Sequence, residues 1–395
     1  MPVSHAASGL SNAVSGDGER NRVSLVEMLT RLTDPRSPQG KRHDLVFVLA
    51  CAVVGTLAGA ANYRQLARQV ADLPQSLLEK LGARWIWFRR RYVWPSEATL
   101  RRVLQRIDAA ELDRLVGAWL CARAWRDADG LLVIAVDGKV LRGAWTEAND
   151  QVTLFSAMIH QPAVTIAQIR VPDGTNEITQ VKNLLDHVTV EEGGPKRVII
   201  TLDAAHTQDE TARYIAGERG FDYIMTVKGN RPTLQKEIWD KCAPLLAAEP
   251  DHLVEERGHG RTNRWSTWTM PAGIDLPYAE QIACVRRDVF ALDGQAISKE
   301  IALAVTSAPV DRAGPADLHT CVRQHWGIEN KSHYVRDTTW REDHHKAWIG
   351  NGPYSMAILR NLALGLFRLN GKHKIKEATE EICRDRNRAL HLLLT

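Results

Sequence analysis

Cysteine is sparse in this chain and never clustered. Cys51, Cys121, Cys242, Cys284, Cys321 and Cys383 are far apart, and no two have the spacing of zinc ligands. That argues against a structural zinc and against a disulfide framework, and leaves most of them as small buried apolar residues. Long apolar runs are missing too. The most apolar stretch, Leu45 to Ala61, is broken by Gly55 and Gly59 and closely flanked by charge, so it reads as a buried helix and not a membrane span. Residues 1–22 are small and polar, lack the apolar core of a signal peptide, and read as a disordered leader. No large excess of one charge exists, since the net charge is only +4 over 395 residues. With 44% hydrophobic residues the chain can build a sizeable core, and a soluble, cytoplasmic protein is expected.

The charge that is present is unevenly placed. Residues 1–130 carry 19 Lys/Arg against 13 Asp/Glu, which leaves the remainder slightly acidic. A basic N-terminal third suits a polyanionic partner. From Ser24 to about Trp125 the pattern is helical. Ser24 and Ser96 are good N-caps, ahead of helices beginning at Leu25 and Glu97. Pro35, Pro38 and Gly40 mark a loop, followed by helices over His43–Ala61, Tyr63–Ala71, Glu97–Asp108 and Ala110–Trp125. Two places here suit nucleic acid. The run Arg84-Trp85-Ile86-Trp87-Phe88-Arg89-Arg90-Arg91-Tyr92 interleaves arginines for phosphates with rings that can stack on bases. The Ser96-capped helix presents Arg101, Arg102 and Arg106, as a recognition helix of helix-turn-helix type would. The alternative reading of both is a solvated face packed beside core aromatics.

Asp127-Ala-Asp129-Gly130 is a plausible boundary, dividing a helical DNA-binding domain, residues 23–128, from residues 129–395. Beyond it, Leu131–Val136 and Arg197–Leu202 are short apolar runs rich in Val and Ile, as in strands buried on both faces. Each reads as ending in a carboxylate, Asp137 and Asp203. Further strands are expected over Val152–His160, Thr165–Val171 and Tyr223–Val227, with helices over Glu177–Val188 and Thr207–Ala216. Three meandering strands followed by helix-strand alternation is the ribonuclease H-like topology, with Asp137 at the end of the first strand and Asp203 on the fourth. Residues 231–315 switch to short strand-like pieces and read as a β-rich insertion. Helices resume near Ala316 and run, with one break, to the C-terminus. The fold class is therefore α/β: a ribonuclease H-like core with a β-rich insertion, an N-terminal helical domain and C-terminal helices.

Two neighbouring strands would bring the two aspartates side by side, where their repulsion is relieved by hard divalent cations. Glu329 could close such a site. On an α-helix, His325, Glu329, His333 (or Ser332) and Arg336 share one stripe that can hold a metal and clamp a phosphate. A solvated polar face would look the same. Asp337, Glu342 and Asp343 are rival carboxylates. Trp326 and Ile328 suggest a partly buried setting and favour Glu329.

The segments Val136-Asp137-Gly138-Lys139-Val140-Leu141-Arg142-Gly143, Asp203-Ala204-Ala205-His206-Thr207-Gln208, Val227-Lys228-Gly229-Asn230-Arg231-Pro232 and His325-Trp326-Gly327-Ile328-Glu329-Asn330 resemble, in order and spacing, the bacterial insertion-sequence transposases of the ISAs type, also called H-repeat-associated proteins. Asp34-Pro35-Arg36, Arg42-His43 and Pro95-Ser96 add an N-terminal signature, so the similarity runs from about Val23 onward. The resemblance implies a DDE transposase with Asp137, Asp203 and Glu329 as catalytic, metal-binding residues. It implies two Mg²⁺ ions, with Mn²⁺ able to substitute. It also implies binding of the element's terminal inverted repeats and of target DNA, strand cleavage and strand transfer, a homodimer on DNA, and a nucleoid-associated location. Lys139, Lys228 and Arg336 are then candidate phosphate clamps, with Arg142 and Asn230 as further DNA contacts. His206, His325 and Asn330 support the site; His206 either orients the nucleophile or a metal-bound water, or is simply a packed or capping histidine. Two departures stand out. Between Arg261 and Arg264 the acidic residue usual in the family is missing, and Arg323 and His325 stand where related enzymes place a tyrosine and an arginine ahead of the glutamate. The alternatives are a catalytically inactive DNA-binding derivative, and a metal-dependent phosphatase using Asp137 as nucleophile, which leaves the basic N-terminal part unexplained.

Overall fold

A computed structural model describes residues 23–124, 131–146, 149–188 and 197–394 of the chain. The expected leader and the Asp127–Gly130 boundary lie outside them. Residues 23–124 form α1 (Leu25–Leu29), α2 (Leu45–Leu57), α3 (Tyr63–Ala71), α4 (Gln75–Lys80), a small hairpin of β1 (Trp85–Ile86) and β2 (Arg91–Tyr92), α5 (Glu97–Arg106) and α6 (Ala109–Ala124). Serines start two of these helices as their chemistry dictates. Ser24 accepts from the Glu27 N–H, and Ser96 from the Thr99 N–H. Helix α2 is apolar all round and accordingly buried all round, with only Val46 partly open.

The strands follow: β3 (Leu131–Trp145), β4 (Gln151–Ile159) and β5 (Thr165–Arg170), then α7 (Val181–Asp186), β6 (Arg197–Leu202), α8 (Asp209–Ala212), β7 (Asp222–Val227) and α9 (Pro232–Cys242). Next come β8 (His252–Gly258), β9 (Arg261–Pro271), β10 (Gln281–Ala291) and β11 (Ala296–Thr306). The chain closes with α10 (Pro315–His325), α11 (Tyr334–Trp340), α12 (Gly352–Leu369), α13 (Ile375–Arg384) and α14 (Arg388–Leu394). All strands from β3 onward form one mixed sheet in the order β5-β4-β3-β6-β7-β11-β10-β9-β8. Strands β5, β4 and β3 are antiparallel neighbours, β3-β6-β7 is parallel, and the rest is antiparallel.

Two features depart from the sequence reading, the end of β3 and the breaks among the C-terminal helices. Asp137 does not end its strand. Strand β3 continues through Leu141 because Lys139 to Leu141 keep pairing with Leu154 to Val152 of β4. The β-rich segment joins the main sheet, since β11 pairs with β7 and carries it onward. The C-terminal helices are interrupted several times, not once, with Arg341 in the left-handed region at φ 49° after α11.

Helix α12 is buried over nearly its whole length and packs on α2, α5, α6 and β5, so one apolar core joins the first helices to the last. Trp340 Nε1 donates to the Thr56 carbonyl of α2 at 2.8 Å, a tie within that core. A second cluster fills the opposite sheet face, where Leu318, Cys321 and Val322 of α10 cover Ile199, Ile224, Val285 and Ala304. Gly117 of α6 lies so close to β5 that a Cβ there would stand 2.0 Å from the Ile166 carbonyl oxygen. Among the described residues no helix is long and apolar enough to cross a membrane.

Beside that contact, Asp113 of α6 is buried and accepts from the Gln168 N–H of β5 at 2.7 Å. Burial pushes its carboxyl up from 3.8 to about 8, against the lowering effect of that hydrogen bond. The folded chain thus keeps a proton that the unfolded chain releases above its ordinary pKa. That contribution to stability is fully present in acid and declines as pH rises from about 4 to about 8. D113N should remove this slope. The urea midpoint of the variant relative to wild type should climb across that interval, and a constant difference would show that Asp113 is not the protonated group.

Candidate active site

Register brings the two aspartates together. Ala135 of β3 pairs with Thr201 of the parallel strand β6. Asp137 and Asp203 each stand two residues further on, so they lie level, on neighbouring segments and on the same sheet face. Strand β6 has ended by Asp203, whose carboxylate turns to accept from the Ala205 N–H at 3.1 Å and caps the turn Ala204–His206. The face they share is the one α10 covers. Just past α10, Ile328 packs on Ala135 and Met158, which places the start of the next turn over β3 and β4.

That turn, Ile328–His333, is π-helical: the Tyr334 N–H reaches back to the Glu329 carbonyl. The extra residue per turn breaks the stripe expected for an α-helix. Glu329 and Asn330 are exposed, while His333 turns inward and puts Nδ1 at 3.4 Å from Asp137 Oδ2. Burial, with Arg336 and Lys139 nearby, holds the His333 pKa down at about 3, so it meets Asp137 as a neutral imidazole.

The carboxyl of Asp137 is raised to about 7, first by burial, then by the charge of Glu329, with Glu177 and Asp203 adding to it. Four acidic groups therefore act on one another here. Glu177 was not among the expected residues. It opens the turn Glu177–Gln180, and its carboxylate occupies the space above Gly138, where a Cβ would lie 1.9 Å from Oε1. Its own pKa is raised by burial and by Asp203. The only hint in the sequence is the glycine directly after Asp137, which leaves room for a group from elsewhere. Among the described residues no three His, Cys, Asp or Glu side chains are drawn closely enough together to hold a metal ion as they stand.

The supporting residues divide into layers. His206 is buried, stacked on Phe155 at 5.2 Å, with Nε2 at 3.8 Å from Asp203 Oδ1 and no hydrogen-bond partner for Nδ1. His325 lies beneath the aspartates: its Nδ1 and His160 Nε2 share the Thr201 hydroxyl at 3.0 and 2.9 Å. Asn230 donates to the Ala204 carbonyl at 2.5 Å and braces the loop that follows Asp203. Lys228 and Arg142 are exposed near this end of the sheet.

Two expected phosphate clamps are differently employed. Arg336 has no exposed surface, and its guanidinium binds Glu342, Gln168 and Asn361 at 2.8–3.1 Å, which removes it from the DNA-facing residues. Lys139 is 8% exposed and its ammonium is held by Asp337 at 2.6 Å and Asp343 at 3.4 Å. The same contacts dispose of the rival carboxylates: Asp337 and Asp343 serve Lys139, and Glu342 is sealed between Arg336 and Arg360. In the N-terminal part Arg89, Arg90, Arg91, Arg102 and Arg106 are exposed, and Arg101 is partly so and pairs with Glu97 at 3.0 Å.

Comparison with known proteins gives this arrangement a context. A family described as DDE_Tnp_1-associated matches residues 26–120, and the transposase DDE domain matches residues 129–366. YhhI of Escherichia coli strain K12, an H repeat-associated transposase candidate, is 25% identical over 379 residues, covering 90% of this chain and 94% of its own. YncI of E. coli O157:H7, a further transposase candidate, is 24% identical over 367 residues, covering 87% of each chain. The solved piggyBac transposase synaptic complex with hairpin DNA aligns over 92% of this chain and 79% of that one at 10% identity, with a TM-score of 0.39, too slight a likeness to argue from. A domain match over more than half the length, seated on the strands and helices that bear the acidic group, settles the kinship: the chain belongs to the DDE-type insertion-sequence transposases.

Proposed function

We propose that this protein cleaves and joins DNA strands at the ends of its own insertion sequence, with Asp137, Asp203 and Glu329 as the catalytic trio. The observation that carries the reading is the level placement of Asp137 and Asp203 under a helical turn whose Glu329 charge acts on Asp137. A carboxyl driven to about 7, first by burial and then by its acidic neighbours, marks a site short of positive charge. An all-oxygen donor set of this kind fits Mg²⁺, with Mn²⁺ as substitute. Two such ions bound there would supply activation of the attacking hydroxyl and stabilisation of the leaving 3′-oxygen. Asp137 and Asp203 would hold them from the sheet and Glu329 from above, with Glu177 completing the ring. His206 is suited to orient the attacking water or 3′-hydroxyl beside Asp203. Lys228 and Arg142 are suited to meet the flanking phosphates.

In this reading the five strands β5-β4-β3-β6-β7 are a ribonuclease H-like core within residues 129–395, and residues 231–315 widen its sheet. Residues 23–128 engage duplex DNA through Arg89, Arg90, Arg91, Arg101, Arg102 and Arg106. Two chains meet on the paired ends, and the protein works in the cytoplasm at the nucleoid. The test is nicking of a plasmid carrying the gene with its flanking DNA, in Mg²⁺, Mn²⁺ or EDTA. Strand breaks at the element's ends, present with either metal and absent in EDTA, are the expected result. Binding without any break under all three conditions would favour the inactive DNA-binding derivative.

The fourth carboxylate yields its own prediction. G138A forces the Glu177 carboxylate aside, and because that is the far end of a flexible side chain, the fold is little disturbed. Cleavage should fall by about tenfold to a hundredfold, the usual penalty for disturbing a ligand's surroundings, with an unchanged urea midpoint. Full activity in G138A would remove Glu177 from the site.

A further inference from the structure

The hairpin β1–β2 is anchored at its stem and bare at its tip. Trp85 pairs with Tyr92 and Ile86 with Arg91. Gln75 of α4 grips the stem by accepting from the Tyr92 N–H at 2.6 Å and donating to its carbonyl at 3.3 Å, and Tyr92 donates to Glu79 at 2.5 Å. Between the strands the chain makes a tight turn over Trp87–Arg89, closed by Arg90 in the left-handed region at φ 45°. This turn lifts Trp87 and Phe88 clear of the protein, and each ring is 85% exposed. Scattered apolar side chains on a surface need no explanation, but two adjacent large rings at the point of a rigid hairpin form a hydrophobic prong.

The surroundings specify the partner. Arg84, Arg89, Arg90 and Arg91 are exposed and form no ion pair among the described residues. The Arg89 guanidinium lies over the Phe88 ring, 5.7 Å from its centre, and that of Arg91 lies over Trp94 at 5.4 Å, so cations and aromatic rings share one surface of the hairpin. Arg42 and Arg84 are both near enough to His43 to lower its pKa, which extends the basic surface to the loop before α2. A second protein surface would need a concentrated acidic patch to match this, whereas duplex DNA offers phosphates on either side of a stack of flat apolar faces.

We propose that the β1–β2 hairpin is a DNA wedge: Trp87 and Phe88 enter a base-pair step of duplex DNA, partly unstack it and bend the helix, while Arg84, Arg89, Arg90 and Arg91 hold the neighbouring phosphates. The inference rests on DNA being the substrate and adds how the N-terminal part grips and deforms it. The bend is driven by ring insertion and the affinity by both rings and arginines, so the two kinds of substitution separate.

The test uses the full chain in EDTA with a short mixed-sequence duplex carrying a dye at each end. Anisotropy reports binding, and energy transfer between the dyes reports bending. W87A/F88A should lose the bend and bind about tenfold or more weakly, as expected for lost base stacking, with the salt dependence unchanged. R89A/R90A/R91A should lower the slope of log K against log salt by about 3. W87F/F88Y keeps two rings and should recover the bend, which separates the wedge from misfolding. Binding and bending by W87A/F88A equal to wild type would overturn the inference. So would loss of self-association in sedimentation with the bend intact, because the tip would then be a contact between chains. A wild-type protein that binds no duplex overturns the DNA reading itself. Binding and bending without metal-dependent nicking removes only the catalytic reading.

Discussion

D137N, D203N and E329Q will each lower DNA strand cleavage by about a thousandfold or more while leaving duplex binding intact. The size follows from what each carboxylate contributes. Divalent cations supply several kcal/mol of transition-state stabilisation, and each 1.36 kcal/mol corresponds to a factor of about ten in rate. Substitution by the neutral isostere keeps the shape and removes the charge that holds the cation. Binding should not suffer, because it is carried by Lys and Arg elsewhere, and a lost negative charge can only ease the approach of phosphate. The measurement pairs plasmid nicking in Mg²⁺ with anisotropy in EDTA on the same preparations. The informative comparison lies within the acidic group. E177Q should fall between wild type and the trio, since the Glu177 carboxylate lies over Gly138, directly beside Asp137. Should E329Q cleave normally while E177Q does not, the third ligand is Glu177. D337N reports on something else, because Asp337 holds Lys139.

How much of this could be read from residues alone depends on the range of the interaction. The strands bearing Asp137 and Asp203 were legible because an apolar run of Val and Ile constrains one strand locally, and a parallel pairing of two such strands aligns whatever follows them. The end of β3 was not legible, because its continuation depends on partners in β4. Glu329 stands out in the sequence as a carboxylate, but the residues expected to share its face are misplaced by the assumption of 3.6 residues per turn. The π-helical turn at Ile328–His333 shifts the phase, so His333 meets Asp137 and Arg336 falls into the core. Lys139 looked like a clamp because alternation puts it on the face of Asp137. The acids that occupy it come from Asp337 and Asp343, far along the chain. The joining of β11 to β7 has the same character: nothing local in either strand announces the partner.

E342A will destabilise the folded chain by about 3–5 kcal/mol, the cost of leaving buried charges unpaired. Glu342 is 2% exposed and joins two buried guanidiniums, Arg336 Nε at 2.9 Å and Arg360 Nη1 at 3.0 Å. Removing it strands both. The arginines cannot shed their charge to escape, because guanidinium pKa values stay far above neutral even when burial lowers them, as it does for Arg360. The network reaches the active-site face directly. Arg336 and Asn361 both donate to Gln168 Oε1, Ser156 donates to the same atom, and Ser156 is the cross-strand partner of Asp137. The ionic group therefore fixes the part of the sheet that bears Asp137 to α12. It also predicts a pH signature. Burial works against ionisation of Glu342, but Arg336 and Arg360 outweigh it and hold its pKa at about 2, against an ordinary 4.5. Stability from this group is therefore fully present above about 4.5 and is lost as pH falls toward 2. Urea unfolding of wild type and E342A across that interval should show the gap between them closing in acid. An equal gap at every pH would mean that lost packing, and not the charge of Glu342, accounts for the destabilisation.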